Sequence, residues 1–340
     1  MEEEIELQPR NRVKMWTFII VLILISFISL FFIKTSFTIS QITNWTDGDN
    51  MADDLSPLPE DDPDRVNILL LGMRGINEPG DGKLLSDAMI LASIKKSTGQ
   101  VALISLPRDL YTRIWCAPDE KKINFAFAYG GLDCAKNTVA LVTDLYIDHA
   151  IGINFEALKE VIDTLGGIDV YLDRPFEEDF QWAKEGLEEN DHWMIKEFDG
   201  EERWVFYVPE GENHLDGETA LYYVRSRYST DDFDRMRRQQ QVLMAVKEKA
   251  LSLNVLANPV KIYNLLDLLG DNVRTDAGLS QIGSLIGLTS DLDKENVRTK
   301  FFDIGPEGLL YHTFIDEEYV LLPIGDNFDK IQEASKNIFN

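Results

Sequence analysis

Five arginines fall within residues 221–239, LYYVRSRYSTDDFDRMRRQ, in a chain whose formal net charge is −26. In an extended segment Arg225 and Arg227 sit two apart and point to one face. In a helix starting near Asp232, the residues Arg235, Arg238 and Gln239 are related as i, i+3 and i+4 and share a face of its first turns. Arg237 is turned about 200° from Arg235 and faces solvent. Guanidinium forks match phosphate oxygens, and a helix N-terminus adds free N–H groups and the positive end of its dipole. That chemistry is recognition of a phosphate-bearing anion. The same residues also allow a solvated helix start in which the arginines pair with Asp231, Asp232 and Asp234.

Two further fragments carry chemistry. Ser105-Leu-Pro-Arg108-Asp109 follows an apolar run, where α/β proteins place ligands at the carboxyl ends of strands. Leu85-Ser-Asp87 precedes another such run and offers a carboxylate to a divalent cation. Taken singly, the first is also an ordinary loop with an ion pair, and the second a turn residue.

Positioning these groups requires a sheet and helices. Residues 66–71 (VNILLL), 88–94 (AMILASI) and 100–106 (QVALISL) read as strands, the last two joined by a KKSTG hairpin connection. Residues 155–165 (FEALKEVIDTL) have helical apolar spacing, stopped by Gly166 and Gly167, and 168–172 (IDVYL) resumes as a strand. Such a strand-helix-strand unit predicts a sheet covered by helices. Residues 174–205 show no clear period and read as a surface insertion. Residues 221–227 read as a strand, and a helix runs from Asp232 to about Leu253 with Met236, Leu243, Val246, Ala250 and Leu253 as its apolar stripe. The tail predicts a helical piece at 279–289 and a strand at 319–323.

The chain has 340 residues, 33 Lys and Arg against 59 Asp and Glu, and 44% apolar residues. It is globular in composition and too acidic for a general nucleic-acid binder. Four histidines leave little for a zinc site, and two cysteines exclude a disulfide-rich scaffold. Residues 16–33 form an uncharged apolar run of 18, the lower limit for a membrane-spanning helix. It lacks a small-residue cleavage site, so it reads as an anchor rather than a signal peptide. Arg10, Arg12 and Lys14 precede it and place the N-terminus in the cytoplasm. The expected organisation is a cytoplasmic start at 1–15, a transmembrane helix at 16–34, a polar stalk at 35–64 and one outer α/β domain at 65–340, on a single-pass cell-membrane protein. Outside the membrane, Cys116 and Cys134 can close a disulfide, stabilising by ~3 kcal/mol, or remain two buried thiols; the expectation is the disulfide.

Taken in order, VNILLLG, LLSDAMIL, SLPRDLY, KINFAFAYGG, IGINFEALKEVIDTLGGIDVYL, GENHLDGETALYYVRSR and DFDRMRRQQQVL resemble the LytR-CpsA-Psr (LCP) family of bacterial envelope phosphotransferases, over roughly 66–252. The tail LLPIGDNFDKIQ is similar to the family's C-terminal section. The resemblance implies a central mixed sheet flanked by helices. It also implies transfer of a glycopolymer phosphate from a polyprenyl-pyrophosphate carrier to peptidoglycan with Mg²⁺, the polyprenyl tail lying in an apolar tunnel. By position, Arg108, Arg225, Arg227, Arg235 and Gln239 would surround the pyrophosphate, with Arg238 and Lys122 near them. Asp87 would bind Mg²⁺. Asp232 would position or activate the acceptor hydroxyl, joining Arg108 and Arg235 as catalytic groups. Two positions depart from the family's pattern: Met73 stands where an acid is usual, and Leu85 where an arginine is usual. Arg74 and Lys83 offer replacement positive charge, and Glu78 or Asp81 a second metal carboxylate. If none does so, the alternative is a non-catalytic envelope scaffold that binds polyprenyl pyrophosphate.

Overall fold

The computed structural model describes residues 57–75, 84–179, 188–252, 272–278, 281 and 297–340. Three apolar strands open the domain: β1 (Arg65–Met73), β2 (Ser86–Lys95) and β3 (Gln100–Ser105). β1 and β2 pair antiparallel from Arg65 against Lys95 to Gly72 against Ala88, then slip at Gly72/Met73. The short ribbon β4 (Tyr111–Arg113) and β5 (Glu120–Lys122) leads into helix α1 (Ala126–Thr143). Its ladder is interrupted at Gly130 and Gly131. A Cβ at Gly130 would lie 2.9 Å from the Cys116 sulfur, so this glycine gives room for the Cys116–Cys134 disulfide, which the structure contains.

β6 (His149–Asn154) runs parallel to β1 and feeds helix α2 (Phe155–Thr164), whose first turn is capped by the Asn154 side chain accepting from Ala157 N. β7 (Ile168–Leu172) follows through the left-handed Gly166 and Gly167. The segment expected to be a featureless insertion instead holds β8 (Phe176–Glu178), β9 (Trp193–Phe198) and the start of β10 (Glu201–Val208), a small sheet in the order β8-β10-β9. Trp193, Phe206 and Val208 are buried in a second core with Ile162, Leu215 and Tyr222. Adjacent Val205 and Phe206 are both buried, which erases the alternation a strand reading needs.

β11 (Gly211–Leu215) pairs with β7, and helix α3 (Gly217–Arg225) follows, capped by Asp216 accepting from Thr219 N. The expected strand at 221–227 is therefore corrected to the end of a helix. Tyr222, Tyr223 and Val224 are all buried, so tertiary packing overrides their strand propensity. Helix α4 (Asp232–Ser252) is where the sequence puts it. The chain closes with β12 (Val273–Thr275), β13 (Val297–Phe301), β14 (Leu310–Ile315), β15 (Glu318–Pro323) and helix α5 (Asp329–Lys336). The central mixed sheet has the order β12-β6-β1-β2-β3-β13.

Each face of that sheet has its own neighbour. Leu69, Leu71, Leu91 and Ile104 pack with Leu132 and Val139 of α1 in the main core. Leu70, Ile90, Ile151 and Ile153 line the opposite face, beneath α2 and α4. Asp276 staples one edge: it accepts from Ala150 N at 2.8 Å and Lys136 Nζ at 2.5 Å, tying the end of β12 to β6 and α1. Burial would raise its pKa, but the hydrogen bonds from His149, Lys136 and Ala150 N outweigh burial and hold it below the usual carboxylate value. Among the described residues no helix is long and apolar enough to cross a membrane; the anchor expected at 16–34 and most of the helix expected at 279–289 lie outside them.

Candidate active site

Between the Ile151–Ile153 face of the sheet and helices α2 and α4 lies a cavity of about 930 Å³, near the top of the ~300–1,000 Å³ range of ligand pockets. Its interior is apolar: Leu70, Ile90, Ile153 and Val273 from strands, Leu158 and Val161 from α2, Val242, Leu243 and Val246 from α4. Its mouth is the opposite. Arg74, Arg108, Arg225, Arg227 and Arg235 line it with one carboxylate, Asp87, and Gln239 stands beside them. Pairing puts the end of β1 beside the start of β2, which brings Arg74 toward Asp87. Arg108 leaves β3 at the same end of the sheet, Arg225 ends α3, and Arg235 lies in the first turn of α4.

Burial and mutual repulsion disfavour the charge on Arg225 and Arg235, which a polyanion would offset, whereas Arg108 is already held by carboxylates. Arg108 Nη1 donates to Asp87 Oδ1 at 2.8 Å, and Arg108 Nε lies 3.3 Å from Asp232 Oδ2. Burial disfavours its charge, yet Asp232, Asp109 and Asp87 outweigh burial and raise its pKa. Arg235 donates to Asp232 Oδ1 at 2.9 Å. Its pKa is lowered by burial and by repulsion from Arg108 and Arg227. Arg225, over the Phe155 ring at 4.7 Å, is likewise lowered by burial and by Arg74. The buried Nε of Arg235 makes no hydrogen bond within the protein, and that of Arg108 has only its ion-pair contacts with Asp232 and Asp109. A buried donor such as Arg235 Nε is costly unless a ligand satisfies it.

Two expected members stand elsewhere. Arg238 is buried away from the cavity lining: its Nε donates to Tyr223 O at 2.9 Å, Nη1 to Thr230 Oγ1 at 3.0 Å, and Nη2 to Ser226 O. Its ring partner Phe176 lies 4.5 Å away. Lys122 is paired with Asp109 at 3.1 Å and does not line the cavity. Sequence reasoning missed Glu178 entirely. This carboxylate is wholly buried and accepts from Tyr228 N at 2.8 Å and Ser229 N at 3.1 Å. Glu178 and Arg238 thus grip the turn between α3 and α4 from two sides, and that turn carries Arg227. A single acid among the EED residues of 177–179 gives no sequence signal for this role. Gln240, next to Gln239, donates to Ser105 Oγ at 2.7 Å and fastens α4 to β3.

For a divalent cation the described residues offer little. No group of three His, Cys, Asp or Glu side chains is placed to hold one. Asp87 is the only carboxylate among the described residues lining the mouth, and one of its oxygens is already taken by Arg108. Glu78, Asp81 and Lys83 lie outside the described residues. Met73 is wholly buried in the core that holds Leu71 and Met89 and offers the mouth nothing. A Mg²⁺ ion, which needs only one or two carboxylates when substrate phosphates and waters complete its shell, fits Asp87 on those terms.

A stretch of 219 residues, 64% of this chain, is 31% identical to the polyisoprenyl-teichoic acid–peptidoglycan teichoic acid transferase TagU of Bacillus cereus and spans 62% of that protein. The corresponding transferase TagT of Bacillus subtilis is 27% identical over 83% of this chain and 79% of its own length. The crystal structure of Bacillus subtilis TagV shares the fold, with a TM-score of 0.60 over 82% of this chain and 98% of that one at 24% identity. The LytR_cpsA_psr family model matches residues 29–337, a span that contains every residue lining the arginine-ringed cavity, and the chain belongs to that family.

Proposed function

We propose that this protein is a membrane-anchored glycopolymer transferase. It takes a phosphate-linked glycan from a polyprenyl-diphosphate carrier and joins it to a hydroxyl of peptidoglycan. One observation carries the reading: a ring of guanidiniums set on the mouth of an apolar cavity, a shape that suits a diphosphate with a hydrocarbon tail. The names of the TagU and TagT relatives support it. The Cys116–Cys134 disulfide supports an oxidising, extracytoplasmic setting for the domain, as the positive residues before 16–34 support the anchor's direction.

The groups have separate tasks. The acceptor oxygen attacks the phosphorus nearer the glycan, a new P–O bond forms, and the bridging P–O bond to the lipid phosphate breaks. Polyprenyl phosphate leaves with the electron pair. Arg108 and Arg235, the latter with an Nε that makes no hydrogen bond within the protein, hold the non-bridging oxygens as charge builds there. Arg225 and Arg227 grip the departing phosphate at the cavity rim. Asp232, held between Arg108 and Arg235, orients the incoming hydroxyl and receives its proton. Mg²⁺ on Asp87 would add Lewis-acid stabilisation to the same oxygens.

The test uses the full chain in detergent with a polyprenyl-diphosphate oligosaccharide and peptidoglycan. Release of polyprenyl phosphate coupled to glycan attachment, lost in Arg108→Ala, is the expected result. The burial of Met73 favours a second reading, a lipid-diphosphate scaffold without turnover; saturable binding with no released phosphate in any metal would replace the first reading by the second.

A further inference from the structure

The β14–β15 hairpin carries aromatic side chains that the core does not use. Its register sets Leu310, His312 and Phe314 opposite Pro323, Leu321 and Tyr319, so these six share one face. Leu310 and Leu321 at one end are buried in the main core. Toward the turn the same face runs beyond the core, where Phe314 is 66% exposed and Tyr319 38%. His312 stacks on Tyr319 with centroids 5.9 Å apart, and Phe314 meets Tyr319 edge-on at 6.0 Å. The three rings form an exposed ledge that continues the face begun by the buried Leu310 and Leu321.

That ledge is joined to the candidate active site. Leu321 N donates to Asp109 O at 2.9 Å, and Leu110 bridges to Leu321, so β15 is laid along the segment that carries Arg108. Tyr319 stands two residues before Leu321 on β15, and burial together with the charges of Asp109, Asp232 and Asp231 raises the pKa of its phenol. The apolar cavity opens from the mouth among other residues, between α2 and α4. In-line displacement brings the incoming oxygen in opposite the leaving group. With the lipid phosphate leaving toward the cavity, the nucleophile arrives from the Asp232 side.

We propose that His312, Phe314 and Tyr319 form the ledge on which the acceptor saccharide lies, its pyranose C–H faces against the rings and its hydroxyl directed into the mouth. The proposal rests on the reading of this site as a glycopolymer transferase. Ring faces are electron-rich and suit the weakly positive C–H faces of a sugar. Charge favours a sugar over a bilayer surface: Asp316, Glu317 and Glu318 at the tip would be repelled by anionic lipid headgroups, while sugar hydroxyls donate to carboxylates.

The test titrates chitotetraose, a β-1,4-linked N-acetylhexosamine chain, into the full chain in detergent with saturation-transfer NMR as readout. Farnesyl diphosphate binding is measured on the same samples. Saturable chitotetraose binding is expected, weakened roughly tenfold or more by Phe314→Ala with Tyr319→Ala. Tyr319→Phe, which keeps the ring, and Tyr311→Ala, on the other face of the hairpin, should bind as the parent does. Farnesyl diphosphate affinity should be unchanged in all of them, which also shows that the variants fold. No chitotetraose binding by the parent, or equal binding by the double variant, overturns the ledge. So does a double variant that loses affinity for sugar-bearing but not sugar-free lipid diphosphate, which would assign the rings to the donor glycan. Loss of anionic-vesicle binding with sugar binding intact would assign them to the membrane instead. Failure of the parent to bind farnesyl diphosphate strikes the transferase reading itself and not the ledge alone.

Discussion

Removing the Glu178 carboxylate should weaken diphosphate binding although Glu178 lies behind the arginine turn rather than on the cavity. Its buried oxygen accepts the N–H groups of Tyr228 and Ser229 at 2.8 and 3.1 Å. Glu178→Ala leaves both donors unsatisfied, at roughly 1–3 kcal/mol each. The turn itself is exposed, so water recovers part of that loss, and the low end, about 2 kcal/mol in total, is the better figure. If that deficit falls on the turn's ordered state, the competent population shrinks and affinity falls by about 30-fold. Glu178→Gln keeps a neutral acceptor, and neutral hydrogen bonds are about half as strong as charge-assisted ones, so about 1 kcal/mol or roughly fivefold is expected. Calorimetric titration of farnesyl diphosphate into the full chain in detergent measures both, with thermal unfolding run alongside. A folded Glu178→Ala protein that binds as tightly as the parent would show that the clamp does not set the position of Arg227.

Val246→Trp should fill the inner cavity and abolish binding of long polyprenyl diphosphates while sparing inorganic diphosphate at the mouth; competition between the two ligands reads this directly. Replacing Cys116 and Cys134 together by serine should cost ~3 kcal/mol and lower Tm by about 6–12 °C for a domain of this size, seen by calorimetry. Asp276 has a depressed folded-state pKa, so its stabilising contribution is complete above the unfolded carboxylate value near ~4 and is lost as pH falls through the lower folded value. Asp276→Asn should therefore unfold more easily at neutral pH and show a shallower loss of stability in acid, measured by urea titrations from pH 6 to pH 2.

The arginine cluster was legible because charge of one sign stood out in an acidic chain and because Arg235 and Gln239 keep helical spacing from a clear start. The strands of the central sheet were legible from unbroken apolar runs. What pattern reading misplaced has a physical cause in each case. Leu221-Tyr-Tyr-Val reads as a strand locally, yet Asp216 caps a helix there and three of its residues are buried against the second core. That error also put Arg225 and Arg227 on one strand face, whereas one ends a helix and the other begins a turn. Arg238 has the right spacing for the mouth, but backbone carbonyls of Tyr223 and Ser226, distant in pattern and close in space, claim its guanidinium. Glu178 could not be found at all, since its partners are main-chain donors and leave no trace in side-chain types.

The course of β1 has a topographic consequence. The chain enters the domain at Arg65, and the ring of guanidiniums sits past the other end of that strand, beyond Met73. At about 3.3 Å per residue those poles lie roughly 27 Å apart. A carrier lipid keeps its headgroup at the bilayer surface, so on the proposed anchoring the body must hang upside down: arrival point aloft, opening pressed toward the phosphates. Residues 35–64 have the reach for this, since 30 residues of chain span up to about 100 Å. On the proposed anchoring, shortening residues 35–64 should starve the opening of lipid before it harms the fold.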